Sequence, residues 1–289
     1  MDTPSFKEDH ISQIPALQLL QKLGYQYLSP GEALQFRGNK TSNVILEDIL
    51  RKQLKEINSI KLSASRTSFF TDENIEKGIL ALKELPMNEG YIVACEMAYN
   101  RLTLGKDLEQ SIDGDKKSFT LRYIDWENIE NNVFHVTEEF SVMRSTSKEH
   151  YRPDLVLFVN GIPICVIECK RPDMKEPLRQ AISQHLRSQQ EDGIRNLYAY
   201  SQVLLSIATQ EAAFATNATT EKFWSKWIEK FNSTEEEQTH NTSLLELKNK
   251  PLSLEQKSRL FADRFRYVRH YFDDLEKDNI LPSVQDEYL

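Results

Sequence analysis

Two carboxylates and a lysine are the side chains of this sequence best placed to act together: Asp154, and Glu168 and Lys170 spaced around Cys169. Between them runs LVLFVNGIPICVIEC, Leu155 to Cys169, two apolar arms around Asn160-Gly161. Asn-Gly tolerates the positive φ angles of a tight turn, so this pattern predicts a β-hairpin. Folding the hairpin brings Asp154 and Glu168-Cys169-Lys170 to its open end. Charged groups at the end of a buried hairpin are costly to desolvate unless paired or bound to a cation, and neighbouring carboxylates repel. A divalent metal resolves both problems. Mg²⁺ prefers oxygen ligands, usually one or two carboxylates with waters and substrate phosphate. The expected ligands are the side chains of Asp154 and Glu168 and the backbone carbonyl of Cys169. Such an ion polarises a scissile phosphate and lowers the pKa of a coordinated water. Lys170 shares a strand face with Glu168 and is expected to position that water or hold the phosphate. Its further use as a general base stays open, because the metal lowers its pKa while the carboxylates raise it.

One ion on both carboxylates requires a particular register. With a two-residue loop Asp154 pairs with Ile167, and Glu168 points to the opposite face. A turn with one residue more, a type I turn followed by glycine in a G1 bulge, sets Asp154 opposite Glu168. The bulged turn is therefore expected. The plain alternative is a surface hairpin whose Asp, Glu and Lys form a salt-bridge cluster.

Helical spacing predicts α-helices over about 15–23, 43–57 and 72–85. Aromatic and β-branched runs at 91–94, 119–126 and 133–143 suggest strands. Both hairpin arms are apolar at nearly every position, so the pair should be central in its sheet with both faces covered. A helix over about 177–190, a strand at 203–208 and a Trp-bearing helix at 221–231 follow. The fold class is mixed α/β. Ser233 to Thr242 reads as a polar linker. Beyond it Leu254, Ser258, Phe261, Phe265, Val268, Phe272 and Leu275 trace the seam of a helix over about 253–275. The expected division is a domain over 1–232, then a linker and helical extension over 233–289.

The 289 residues are 39% hydrophobic, with no apolar run of membrane-spanning length and no secretion signal at MDTPSFKEDH, so a soluble cytoplasmic protein is expected. Cys95, Cys165 and Cys169 form no CxxC pair and indicate neither disulfide nor zinc site. The net charge of −8 argues against a protein that coats nucleic acid electrostatically. From Ser141 to Tyr200, however, nine Lys or Arg face seven Asp or Glu. No GxxxxGK[ST] phosphate loop is present.

Arg152-Pro153-Asp154 through Glu168-Cys169-Lys170 resembles the PD-(D/E)xK nuclease motif, and more specifically the amino-terminal domain of the R subunit of type I restriction endonucleases. Asn100-Arg101-Leu102-Thr103, Ile124-Asp125-Trp126, Asn132-Val133-Phe134, Asn160-Gly161-Ile162-Pro163 and Phe214 through Trp227 carry the likeness further. It runs from about Leu17 to Trp227. The resemblance implies a restriction-endonuclease-like αβββαβ core with added helices, and Mg²⁺-dependent cleavage of double-stranded DNA. It also implies assembly with modification and specificity subunits, and no membrane partner. In the family an ATP-driven translocase follows the nuclease; this sequence does not encode it, and a fragment is the expected reading over a stand-alone relative. Asp154, Glu168 and Lys170 match the catalytic positions. Arg152, Arg171, Gln184 and Arg187 are candidates for DNA binding or support of the site. Two departures stand out. The family's Gln-x-x-x-Tyr falls on Gln184 and Ser188, so the tyrosine is missing, and Ser12-Gln13-Ile14-Pro15 lacks the glutamate often found on the first helix. A module that binds DNA or partner subunits without cutting, and a repair nuclease sharing only the core, are the competing readings.

Overall fold

The hairpin forms the middle of a seven-stranded mixed sheet. The computed structural model describes residues 12–208, 211–262 and 265. In chain order, α1 (Ile14–Lys22), β1 (Gln26–Leu28) and α2 (Pro30–Phe36) are followed by α3 (Glu47–Ile57), the ribbon β2 (Ile60–Ser63) and β3 (Arg66–Ser68), and α4 (Asp72–Lys83). Then come α5 (Tyr91–Leu104), the ribbon β4 (Lys106–Ile112) and β5 (Asp115–Leu121), β6 (Phe134–Glu138), and a short ladder of β7 (Val142–Met143) and β8 (His150–Tyr151). The hairpin arms are β9 (Leu155–Val159) and β10 (Ile162–Lys170). After them come α6 (Pro177–Ser188), α7 (Arg195–Tyr198), β11 (Val203–Ala208), β12 (Glu211–Ala215), β13 (Ser225–Lys226), α8 (Thr234–Asn249) and α9 (Leu254–Leu260).

The sheet order is β1-β6-β9-β10-β11-β12-β13. Strands β6, β9 and β10 form an antiparallel meander, and α6 carries the chain over to β11, parallel to β10. A parallel neighbour needs such a crossover, whereas the meander needs only turns. This is the mixed α/β arrangement anticipated from the order of elements. Alternate residues of the hairpin feed two cores: Val156, Phe158 and Val166 pack with α3 and α4 on one face, and Leu155, Leu157, Cys165 and Ile167 pack with α1 and α9 on the other. That double burial is why the arms are apolar throughout. Among the described residues, no helix is long and apolar enough to cross a membrane.

The turn departs from expectation in an instructive way. Asn160 and Gly161, at φ 51° and 82°, form a two-residue turn, with Ile162 opposite Val159 and Pro163 opposite Phe158. The extra residue sits inside β10 instead: Cys165 pairs with Leu157, which leaves Ile164 as a bulge. From there to the strand end, Val166 faces Val156 and Ile167 faces Leu155, and continuing that register sets Asp154 opposite Glu168. The tip is held tightly. Asn160 is fully buried; its amide nitrogen donates to Tyr123 O at 3.0 Å and Asn132 Oδ1 at 2.7 Å, and its Oδ1 accepts the Val133 N–H at 2.9 Å. The Leu46 N–H donates to Gly161 O at 2.8 Å, docking the turn on the start of α3.

Other local expectations are corrected. Tyr91–Ala94 opens helix α5, because Ala94, Ala98 and Leu102 continue a four-residue spacing into the core. Of 119–126 only the part up to Leu121 is strand, in the separate β4–β5 ribbon; Trp126 lies beyond it and its indole donates to Leu102 O at 2.9 Å. The expected helix over 221–231 is a 3-10 turn at Glu221–Phe223 followed by edge strand β13, where Trp227 N–H donates to Ala212 O at 2.8 Å. Ser233 to Thr242 is helical, within α8: Ser233 accepts the Glu236 N–H as N-cap, and Glu235, Glu236 and Glu237 suit the positive end of the helix dipole. No residue of α8 is buried. Leu260, Phe261 and Phe265 pack into the core beneath α1, so this stretch docks on its own domain. Val268, Phe272 and Leu275 of the anticipated seam lie outside the described residues.

A Cβ on Gly161 would meet Leu46 O at 2.6 Å, at a φ that side chains rarely adopt. Gly161→Ala should therefore cost on the order of 1–3 kcal/mol, read as a lowered urea midpoint. Burial pushes both His135 and His185 down to about 4. Each stays neutral in the fold while the unfolded chain takes up a proton near pH 6.5, so stability is full above that pH and is lost as pH falls toward 4. At pH 5 each buried histidine should cost about 2 kcal/mol relative to pH 7. Urea unfolding at the two pH values should show the loss, and His185→Gln should remove about half of it, the rest belonging to His135.

Candidate active site

The carboxyl-terminal end of β10 and the entry to β9 carry the three predicted residues, and all are nearly buried: Glu168 is 0%, Asp154 6% and Lys170 8% exposed. Their positions follow from the Ile164 bulge, which turns Asp154 onto the face that Glu168 shares with Val166. Asp154 is oriented through both oxygens: Oδ2 accepts the Cys169 N–H at 2.7 Å, and Oδ1 accepts Gln13 Nε2 at 3.1 Å. The Lys170 ammonium donates to Cys169 O at 2.8 Å and lies 3.7 Å from Asp154 Oδ2. A positive group thus rests on two of the oxygens expected to hold a metal, in the position where a cation is electrostatically favoured.

The donor set fits a hard cation. Two carboxylates and a carbonyl are all oxygen, and each Asp154 oxygen accepts only one of the hydrogen bonds just described, leaving lone pairs for a metal. Among the described residues no group of three or more His, Cys, Asp or Glu side chains gathers as a metal site.

Gln13 was not anticipated as a site residue. It stands in the stretch noted only for lacking glutamate, and α1 brings it to Asp154 across 141 positions of sequence, which leaves no local signal. Beside it the Ser12 hydroxyl donates to Lys170 O at 3.0 Å, tying the start of α1 to the end of β10. Glu138 is a second surprise: this fully buried carboxylate accepts the Tyr27 hydroxyl at 3.0 Å, on the strand beside β9.

Behind Glu168 lies a buried pair, His185 of α6 and Tyr198 of α7. His185 Nε2 is 3.0 Å from Leu205 O, which can only accept, so Nε2 carries the proton. With the ring neutral, Nδ1 is an acceptor, and the Tyr198 hydroxyl at 3.0 Å donates to it. Burial raises the Tyr198 phenol well above its ordinary value, and the nearby Glu168 and Asp154 charges raise it further. The pair is uncharged, so it adds no cation to compete at the carboxylates.

Of the four supporting candidates, Gln184 and Arg187 on α6, and Arg152 before β9, line one cavity of about 270 Å³ together with Glu168. Ser188, where the tyrosine is missing, lines it too. Arg171 does not line that cavity and is paired with Asp173 at 3.2 Å.

Residues 5–223 match the sequence model of the family described as type I restriction enzyme R protein N terminus. A Methanocaldococcus jannaschii chain named as the MjaIXP endonuclease subunit of a type I restriction enzyme is 30% identical over 207 residues, 71% of this chain and 19% of that one. The type I restriction enzyme HindI endonuclease subunit of Haemophilus influenzae is 28% identical over 203 residues, 68% of this chain and 18% of its own length. The chain thus spans about a fifth of the length of these relatives. With the meander-and-crossover sheet and the match over most of its length, the chain belongs to the family of type I restriction enzyme R protein N-terminal domains.

Proposed function

We propose that this chain is the DNA-cleaving part of a type I restriction enzyme, hydrolysing phosphodiester bonds with Mg²⁺ at Asp154, Glu168 and Lys170. The observation that carries the reading is the register after Ile164, which places two buried carboxylates opposite one another with a lysine ammonium between an Asp oxygen and a backbone carbonyl. Asp154, Glu168 and the Cys169 carbonyl would hold the ion. When bound, it supplies charge neutralisation at the phosphate and a more acidic water.

The chain's own residues do the rest. Gln13 and the Cys169 N–H hold the Asp154 carboxylate in one orientation, so its geometry does not have to be organised during reaction. Lys170, its ammonium held at Cys169 O beside Asp154, would hold a non-bridging phosphate oxygen or orient the attacking water. The Ser12 bond to Lys170 O fixes the backbone from which that side chain extends. Buried walls limit the water that reaches these charges and strengthen their action on the phosphate.

Modification and specificity subunits, and an ATP-driven motor, are the proposed partners of the complete enzyme, acting on double-stranded DNA in the cytoplasm. The net charge of −8 fits a nuclease to which DNA is delivered. The purified chain incubated with supercoiled plasmid and Mg²⁺ should then cut slowly and without sequence preference. Asp154→Ala, Glu168→Ala and Lys170→Ala should each lower that rate by about 100-fold or more while leaving the circular dichroism spectrum unchanged. Near-wild-type cutting by any of the three would remove that residue from the mechanism, and EDTA-resistant cutting would remove the metal.

A further inference from the structure

Two cavities meet on the outer face of α6. The first, with Glu168 in its lining, runs between Arg152 and the helix. The second, about 520 Å³, lies between Lys170 and the helix and extends past Arg179 to Lys175. Gln184 and Arg187 line both. The site's carboxylate therefore lines one cavity and its lysine the other, with Gln184 and Arg187 common to both. A phosphodiester that reaches both Glu168 and Lys170 must leave its flanking nucleotides in both cavities.

Charge follows the same path. Leu178, Ala181, Ile182, His185 and Ser188 turn inward, so α6 presents Arg179, Ser183, Gln184 and Arg187 outward. Arg171 and Arg179 are neutralised by Asp173 and by Glu176 and Glu221. Arg152, Lys175 and Arg187 have no ion-pair partner among the described residues, and Arg187 stands 5.7 Å above the Tyr151 ring. Three cations without carboxylate partners thus line the groove: Arg152 in the first cavity, Lys175 in the second and Arg187 in both.

We propose that this groove tracks one strand of nucleic acid by its sugar-phosphate backbone on both sides of the reacting phosphate, with Lys175, Arg187 and Arg152 each taking one phosphate. The position of the reacting phosphate rests on the nuclease reading; the strand track rests on the cavities and their cations. Backbone contacts hold register without reading bases, so this binding is indifferent to sequence.

The test is the salt dependence of binding of a short fluorescent duplex to the full chain in EDTA, followed by anisotropy. Three phosphate contacts predict a log–log slope of about −2.7, roughly a 40-fold loss of affinity between about 50 and 200 mM salt. Arg152→Ala, Lys175→Ala and Arg187→Ala should each make the slope shallower by about 0.9, and the triple variant should lose most of it. A control that removes the same charge elsewhere, Lys52→Ala with Lys61→Ala and Lys77→Ala, should keep the wild-type slope. Equal effects of the two triple variants, unchanged slopes in the groove variants, or no measurable wild-type binding at about 25 mM salt would each overturn the proposal. Asp154→Ala separates the two readings. A groove-dependent slope without Asp154-dependent cutting leaves the track and removes the nuclease; Asp154-dependent cutting with a slope indifferent to the groove removes the track alone.

Discussion

A β-strand sends successive side chains to opposite faces, so a single unpaired residue decides which side chains can meet. Here that residue is Ile164. Before it the hairpin runs in the register of its tight turn; after it every partner shifts by one, and Asp154 comes to face Glu168. The bulge can persist because the neighbouring strand uses it: Gln202 N–H donates to Ile164 O at 2.7 Å, at the point where β11 begins. The turn cannot slip to compensate. Asn160 is tied by both ends of its amide, and Gly161 lies against the backbone of Leu46. Register is thus pinned at the tip, shifted once, and expressed at the far end as a pair of carboxylates.

Burying those carboxylates is costly, and the surroundings show how the cost is met. Each Asp154 oxygen has a fixed donor, Lys170 supplies nearby positive charge, and the carbonyl of Cys169 accepts from its ammonium. The layer behind Glu168 is polar but uncharged. Leu205 O dictates the His185 proton, and through it the direction of the Tyr198 hydroxyl, so one backbone carbonyl orders the whole pair. A protonated imidazole there would oppose any cation at the site, and full burial keeps it neutral across the physiological range.

The same sheet explains the division between an acidic protein and a locally basic cleft. Helix α6 turns apolar residues and His185 onto β10 and β11 and leaves its polar, partly cationic face outward beside Glu168 and Lys170. Helix α1 covers the other side of the sheet and delivers Ser12 and Gln13 to the same strand end. Two helices distant in sequence therefore support the site from opposite layers, and a core built on both faces of the hairpin keeps them in place.

Alternation, turn chemistry and residue type were enough to locate the hairpin, the mixed α/β class and the three residues at the hairpin mouth, because these depend on neighbours close along the chain or on one tight turn. Capping and long helical spacing were misread where they competed with composition: the β-branched opening of α5 suggested strand, and the polar start of α8 suggested linker. Asn160-Gly161 specified the turn, but sequence assigned the extra residue to the loop, since nothing local distinguishes Ile164 from its apolar neighbours. Only the pairing of β10 with two strands at once could place the bulge. Gln13, Ser12 and the His185–Tyr198 pair were likewise decided by tertiary structure, because their partners lie tens to hundreds of residues away or on backbone atoms that carry no sequence signature. Sequence by itself determined which side chains gather at the hairpin mouth; packing of both sheet faces determined which way they point.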